Sequence, residues 1–176
     1  MKRIQEREDG RGDQAATPQS LARKLAGLGA SPLQLDGCRI TAPAPFLHAV
    51  GSLARADWWI TPWADRRIHI IADAVWDAYL AGLRSSVPAA IADPAVRSFQ
   101  QVSVRRKLDR KRRWNIPTDF LRHAGLVSGK NAVVLVPNEF WVELVSLENW
   151  ERQFAESLHT AMQAISTPGS KDALHR

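Results

Sequence analysis

Short runs of apolar residues alternate with polar ones at several places, most clearly in the second half of the chain. Val102 and Val104 alternate with polar residues, and the segments NAVVLV and FWVELV stand on either side of Pro137-Asn138-Glu139. A period of two is typical of a half-buried strand, and a short polar connection between two such runs is typical of a hairpin. We therefore predict a strand through Val102 and Val104, a second strand at Trp114-Asn115-Ile116, and a hairpin that turns at residues 137–139.

Two further segments in this half have the spacing of amphipathic helices. Pro117 precedes TDFLRHA, and Gly125 follows it at the position of a left-handed C-terminal cap. Ser146 precedes LENWERQFAESL, which we predict to be a final helix. Its apolar residues recur at helical spacing and are expected to face the core: Leu147, Trp150, Phe154 and Leu158.

The chain resembles itself after a shift of 74 residues. Six identical pairs align without a gap: Arg39 with Arg113, Pro43 with Pro117, Phe46 with Phe120, Leu47 with Leu121, Gly51 with Gly125, and Trp76 with Trp150. Chance seldom aligns a proline, a glycine and a tryptophan together, so we interpret the pattern as an internal duplication. Each unit then consists of strand, loop, strand, short helix, hairpin and helix.

The duplication predicts the organisation of the whole chain. A single unit with four strands exposes too many strand edges, so we expect two units to pair their strands in one α+β, β-rich fold. Thr17 and Pro18 are expected to begin a short helix that contains Leu21 and Leu25 and ends at Gly27. The predicted segments are a flexible N-terminal extension at 1–30, a first unit at 31–84, a linker at 85–98, a second unit at 99–162 and a flexible tail at 163–176.

Composition narrows the class of protein. Apolar residues make up 45% of the chain and include seven tryptophans, so most of it is expected to fold. No stretch approaches the roughly 20 apolar residues of a membrane span, and the start MKRIQERED lacks a signal-peptide core, so we expect a cytoplasmic protein. The single cysteine, Cys38, excludes an internal disulfide and a cysteine-rich zinc site.

The positive charge is concentrated in one place. Residues 105–113 read RRKLDRKRR, seven basic residues and one acidic residue, which equals the net charge of +6 of the whole chain. A dense basic focus is typical of a phosphate-facing surface, although such a run also occurs as a solvated loop with no specific role. The run therefore favours binding to nucleic acid.

Catalytic and metal-binding motifs are not recognisable in the sequence. The five histidines are scattered, no glycine-rich phosphate loop or G-x-S-x-G motif occurs, and Cys38 has no evident base partner. We expect no catalytic residue, no bound metal and no cofactor, and we expect His48 and His123 to be surface residues.

The pattern of Asp109, Arg113, Ile116-Pro117, a VVLV strand, a hairpin and Trp150 resembles the second half of MraZ proteins, a branch of the AbrB/SpoVT-like family. The segment from LDGCRITAP to Trp76 is similar to the first MraZ repeat. The resemblance implies a swapped-hairpin barrel built from two tandem repeats, a ring-like homo-oligomer, and regulation of transcription by binding double-stranded promoter DNA in the nucleoid.

The resemblance also implies which residues contact DNA. It points to the second loop and its motif, with Arg110, Lys111, Arg112 and Arg113 as the DNA-binding residues. The charge of the whole run adds Arg105, Arg106 and Lys107 to the expected DNA-binding residues, and the first loop adds Arg39. Asp109 and Asp36 are expected to orient these loops, because a carboxylate facing phosphate would be repelled. The first loop is one residue shorter than the family spacing and has a single basic residue, so its DNA contact is expected to be weakened or lost.

Three alternatives remain open from the sequence. The seven tryptophans suggest base stacking on single strands, but Trp76 and Trp150 have the helical spacing of core residues, and only Trp114, beside the basic run, stays undecided. A second possibility is an antitoxin-like AbrB relative that binds its own operator and also a protein partner through the N-terminal extension. A third, an enzyme acting on nucleic acid, lacks a carboxylate cluster.

Overall fold

The computed structural model describes residues 17–126 and 132–166, which form a mixed α+β fold rich in β-sheet. The helices are α1 Pro18–Ala26, α2 Ala44–Val50, α3 Trp76–Ser86, α4 Ala89–Val102, α5 Thr118–His123 and α6 Leu147–Ser166. The strands are β1 Ser31–Asp36, β2 Arg39–Thr41, β3 Asp57–Trp63, β4 Arg67–Ala72, β5 Val104–Lys107, β6 Arg113–Asn115, β7 Ala132–Asn138 and β8 Trp141–Ser146. Two short 3₁₀ helices, Gly51–Arg55 and Asp73–Val75, complete these elements.

The eight strands form one antiparallel sheet in the order β5-β3-β4-β8-β7-β1-β2-β6. The strands at the two ends of this order, β5 and β6, contact each other, so the sheet curls into a nearly closed barrel. Closure removes most exposed strand edges. The predicted α+β, β-rich class is therefore confirmed.

The core of the barrel is built around three aromatic side chains. Trp58 and Trp114 are fully buried, and Phe46 of α2 packs between them, with ring centroids 5.4–5.7 Å apart in tilted and edge-on arrangements. Such pairs contribute beyond the burial of their area. Trp114, whose role the sequence left undecided, is a core residue and its ring cannot stack on a base.

Several predicted elements are confirmed. The predicted hairpin is β7–β8, although its turn lies at 139–140 because Pro137 and Asn138 belong to β7. Trp114 and Asn115 lie in β6 as expected. Gly51 and Gly125, which follow the short helices α2 and α5, both have positive φ angles. Only glycine adopts that conformation without strain, which explains the glycine at both positions.

The prediction of a flexible N-terminal extension is wrong for the part of it that is described. Thr17 caps α1 and its side chain accepts a hydrogen bond from the Ser20 amide, as the sequence predicted. Leu21 and Leu25 are buried in the core, so α1 is a packed element of the domain. Residues 1–16 of the predicted extension lie outside the described residues.

The prediction of a linker at residues 85–98 is also wrong, because most of this segment is a helix that packs against the core. Residues 85–98 are largely helical, because α4 begins after Pro88 and continues through Pro94. Val96 is buried in the core and α4 packs against α3. The same helix includes Val102, so the strand that was predicted there begins only at Val104.

The final helix differs from its prediction in length and exposure. α6 extends to Ser166, so the predicted tail at 163–176 is helical up to that residue, and 167–176 lie outside the described residues. Trp76 is buried as expected, whereas Trp150 is only half-buried and Phe154 and Leu158 are about half exposed. The apolar stripe of α6 therefore leaves the core after its first turns.

A polar cluster crosses the middle of the sheet where β4 pairs with β8. His69 Nδ1 is 2.6 Å from the Tyr79 hydroxyl, and its Nε2 is 3.4 Å from Glu143 Oε1. Arg67 donates to Glu143 Oε2 at 2.7 Å, and Asn138 donates to Oε1. Burial raises the pKa of Glu143, but the hydrogen bonds from His69 and Asn138 and the charge of Arg67 outweigh it and lower the pKa overall. Glu143 is thus an ionised carboxylate with several donors.

Acidification is expected to destabilise the fold through His69. Burial lowers the pKa of His69 below its ordinary value of 6.5, although Glu143 opposes the shift. Below pH 6.5 the unfolded chain takes up a proton that the folded chain resists, so stability decreases as pH falls, by up to about 1.4 kcal/mol per pH unit. In urea denaturation between pH 7 and 5, His69→Gln should flatten this dependence and His48→Gln, at an exposed position, should not. An equally steep dependence in His69→Gln would show that another group is responsible.

Candidate nucleic-acid interface

The basic run, residues 105–113, spans most of β5, the turn between β5 and β6, and the start of β6. Asp109 organises the turn. Asp109 Oδ1 accepts hydrogen bonds from the backbone amides of Lys111 at 2.8 Å and Arg113 at 3.0 Å. Asp109 Oδ2 accepts from Arg113 Nε at 2.9 Å. The backbone closes the turn by bonds from the Asp109 amide to the Arg113 carbonyl and from the Arg112 amide to the Asp109 carbonyl. One carboxylate thus satisfies three donors that a turn would otherwise leave to water.

The electrostatics of Asp109 agree with this geometry. The Arg113 side chain, followed by the backbone amides of Arg113 and Lys111, holds the pKa of Asp109 below its ordinary value. The carboxylate is therefore ionised at neutral pH. Its negative charge is directed at Arg113 and the turn backbone.

The tip of the turn carries three exposed cations, Arg110, Lys111 and Arg112. Within the described part of the chain, none of the three has a carboxylate within 4 Å, and the same holds for Arg39 in β2. Arg112 has a φ of 60°, in the left-handed region that a tight turn requires. The three tip cations are therefore available to an external anion.

The other predicted DNA-binding residues have partners inside the protein. Arg105 lies 2.7 Å from Asp73 and 3.2 Å from Asp57, and Lys107 lies 3.9 Å from Asp57. Arg113 is ion-paired with Asp109 at 2.8 Å and only 18% of its side chain is exposed. Arg106 is exposed and donates to the carbonyl of the preceding residue. The strand cations Arg105, Lys107 and Arg113 are thus ion-paired, whereas Arg106 and the three cations at the tip have no carboxylate partner among the described residues.

Asp36, the last residue of β1, contacts Arg113 of β6. Its carboxylate lies 3.7 Å from Arg113 Nη1, although it is 85% exposed. The β1–β2 turn at Gly37 and the β5–β6 turn stand at opposite ends of the ladder between β2 and β6, three residues long. Three residues of strand span about 10 Å, so both turns can contact one extended ligand.

A groove of about 680 Å³ adjoins the basic turn and reveals a contribution that the sequence reading missed. Arg110 and Arg112 line one side, and His48 of α2 and Arg55 of the following 3₁₀ helix line the other. Arg55 is 57 residues from Arg112 along the chain, so charge clustering in the sequence gave no sign of it. Arg55 thus adds a third arginine to the groove, beside Arg110 and Arg112 of the turn.

Replacing Asp109 with alanine is expected to loosen the turn. Without the carboxylate, the amides of Lys111 and Arg113 lose their acceptor, so their hydrogen exchange should accelerate several-fold while the barrel strands keep their protection. Asp119→Ala, which removes an exposed carboxylate paired with Arg122 in α5, is the matched control. Unchanged exchange at both amides would mean that the turn holds its shape without Asp109.

The described residues contain neither a cluster typical of a metal site nor a helix typical of a membrane span. No group of three or more histidine, cysteine, aspartate or glutamate residues is arranged to hold a metal ion within 17–126 and 132–166. Among the described helices, none is both long and apolar enough to cross a membrane.

Comparison with models of known protein families finds no match to this chain, and comparison with curated proteins finds none either.

Proposed function

We propose that this protein is a transcription regulator that binds double-stranded promoter DNA through the tip of the β5–β6 turn. The observation that carries the proposal is the turn itself, in which Asp109 and Arg113 hold the backbone while Arg110, Lys111 and Arg112 stay exposed without a carboxylate partner. A rigid turn with free cations suits the regular phosphate spacing of a duplex.

The identity of the tip residues supports base reading as well as phosphate binding. Guanidinium groups, which Arg110 and Arg112 provide, bind phosphate with two hydrogen bonds and match the O6 and N7 atoms of guanine. Arg55, which lines the groove beside the turn, extends the same positive surface. We propose that the tip enters a groove of the duplex while Arg39 and Arg55 contact the flanking phosphates.

The strand pairing supports the finer proposal of a duplicated, swapped-hairpin barrel. Ile40 pairs with Trp114, and His69 pairs with Glu143, so both ladders join a residue to its counterpart 74 positions later. Antiparallel pairing of an element with its own copy is what a twofold relation between two units produces. In addition, β1 pairs with β7 and β5 pairs with β3, so each unit's first strand joins the other unit's hairpin.

This architecture favours the MraZ branch of the AbrB/SpoVT-like family as the relative of the chain. The proposal is supported by the order of the residues that carry the resemblance: Asp109 lies in the β5–β6 turn, Arg113 in β6, Pro117 just before α5 and Trp150 in α6. We therefore propose an MraZ-like regulator whose place of action is the nucleoid. The shorter first loop suggests an operator of its own, read mainly by the second loop.

Binding to DNA is tested directly by fluorescence anisotropy. The purified protein is titrated into a labelled duplex of its own upstream region, with a scrambled duplex and the corresponding single strand as competitors. We expect the upstream duplex to be bound at least tenfold more tightly than the scrambled one, within the range of specific regulators. Equal and weak binding to all three would overturn the proposal.

A homo-oligomer is the second part of the proposal, and α6 supports it. Phe154, Leu158, Met162 and Ile165 are 50–80% exposed and recur along one side of the helix. Residues 157–166 contain no Lys, Arg, Asp or Glu, so a second copy of the same neutral helix is a better cover for the stripe than water or a charged partner. We propose that α6 helices pair between protomers.

Placing a charge in the stripe is expected to break the assembly. Leu158→Glu should shift the protein to a monomer in light scattering coupled to size exclusion, because pairing would bury two unpaired carboxylates. Glu156→Gln, two residues away on the same helix, is the matched control. A wild-type protein that is already monomeric, or a Leu158→Glu variant of unchanged mass, would contradict pairing through α6.

The same stripe favours one alternative function. An antitoxin-like AbrB relative would use it to bind a different protein while the barrel binds the operator. In that case the purified protein alone would be monomeric and would gain helix protection only with its partner. The oligomeric state of the pure protein therefore separates the two possibilities.

A further inference from the structure

A cavity of about 420 Å³ opens beside the seam between β4 and β8. Its walls come from α3, from the ends of β3 and β8, and from the β7–β8 turn. None of its described lining residues is shared with the groove beside the basic turn. Its size is within the range of small-molecule sites in proteins.

Four aromatic side chains lie among the residues that line the cavity, and three pairs of them are steeply tilted against each other. Trp141 and Tyr79 have centroids 5.4 Å apart at 83°, and Phe140 and Trp141 are 5.1 Å apart at 85°. Trp63 meets Tyr79 at 72° across 6.3 Å. Neighbouring rings contact one another at these distances, so together they form a continuous aromatic surface whose outer faces and edges a ligand in the cavity can contact.

The charges around the cavity are negative. Among the described residues that line it, two are carboxylates, Glu139 and Glu143, and none is lysine or arginine. Arg67 neutralises Glu143 from the side of α6, but Glu139 in the β7–β8 turn is exposed and has no cation within 4 Å in the described part of the chain. His69 adds no positive charge at neutral pH, because burial lowers its pKa.

From the aromatic walls and the carboxylate at the rim, we propose that this cavity binds an organic cation of the quaternary or tertiary ammonium class. The alkyl groups of such a cation are apolar enough to enter an aromatic cavity, and its diffuse charge is attracted to the ring faces. Glu139 then compensates the charge from the edge. This inference concerns a different surface from the proposed DNA site and does not depend on DNA binding.

Choline and its neutral carbon isostere, 3,3-dimethylbutan-1-ol, test the charge requirement. They have the same shape, so a difference in affinity measures the contribution of the cation. In isothermal titration with the full-length protein, choline should bind roughly tenfold more tightly than the isostere. Equal affinities would overturn the ammonium assignment, and no saturable binding of choline or of benzyltrimethylammonium would overturn the site.

Two variants locate the binding in this cavity. Gly82 of α3 lines it, and a Cβ added there meets no atom within 4 Å, so Gly82→Leu should keep the fold, place an isobutyl group in the cavity and weaken choline binding at least about tenfold. Glu139→Gln should weaken choline binding roughly threefold to fivefold and leave the isostere unaffected. Glu148→Gln on α6 removes a charge outside the cavity and is the control. Full binding in a folded Gly82→Leu variant would place the ligand elsewhere.

Discussion

Replacing Arg110, Lys111 and Arg112 together with alanine is expected to weaken binding to duplex DNA roughly 100-fold near 0.15 M salt. The three cations are exposed, lack a carboxylate partner among the described residues and sit at the tip of a braced turn. If each meets one phosphate, the slope of log affinity against log salt should become less steep by about 3. Anisotropy titrations at several salt concentrations measure both quantities.

A variant with the same change in charge provides the control. Arg23, Lys24 and Arg97 are exposed cations in α1 and α4, outside the proposed interface. Their joint replacement with alanine should reduce affinity far less, through net charge alone. Equal losses in the two triple variants would mean that the protein attracts DNA by overall charge and that the turn has no special part in it.

Replacing Trp114 with alanine is expected to destabilise the barrel by about 3–5 kcal/mol. The side chain is fully buried, touches Phe46 and Trp58, and lies on β6 where β6 pairs with β2. The loss is a large part of the 5–15 kcal/mol that typical domains have, so the folded population should fall visibly. Urea denaturation followed by circular dichroism measures the change, and Trp114→Phe should lose less because it leaves a smaller cavity.

A substitution at an exposed apolar residue is the control for Trp114→Ala. Ile91 of α4 is 53% exposed, and Ile91→Ala should change stability by less than about 0.5 kcal/mol. If Trp114→Ala were as mild as Ile91→Ala, the aromatic centre of the barrel would not be what holds the two units together.

The sequence predicted those elements whose signals are local. The shift of 74 residues is matched by β2 and β6 and by β4 and β8, whose bounds differ by that number. Their strands are short, β-branched or aromatic, and bounded by turn residues, so pattern and structure agree. The cap of α1 at Thr17 is similarly local, because it needs only a hydroxyl and the next three residues.

Elements that depend on distant packing were predicted less well. Pro88 and Pro94 suggested a loose linker, but Pro88 stands just before α4, where a missing amide costs nothing, and Val96 is fixed by the core. The stripe at Phe154 and Leu158 has the spacing of a core-facing helix, yet α6 projects beyond the barrel. Helical spacing indicates that an apolar face will be buried. It does not indicate whether the rest of the same domain or a second protein buries it.

The sequence predicted the position of the candidate site but not which of its basic residues would remain unpaired. Charge density identified residues 105–113, but a linear count cannot tell which cations find a carboxylate after folding. Arg105 meets Asp57 and Asp73, which belong to the first unit, and Arg113 meets Asp109. Arg55 joins the groove only because α2 brings the 3₁₀ helix beside the turn.

Site-specific photo-crosslinking tests most directly whether the β5–β6 turn contacts duplex DNA. A photoreactive amino acid is introduced in place of Lys111 at the tip or, in a separate protein, in place of Lys24 on α1, and each is irradiated with labelled upstream duplex. Both positions are exposed, so accessibility is matched. We expect a crosslink to DNA from position 111 that excess unlabelled upstream duplex removes, and none from position 24. Equal crosslinking from both positions, or none from 111 under conditions where the protein binds DNA, would contradict the proposed interface.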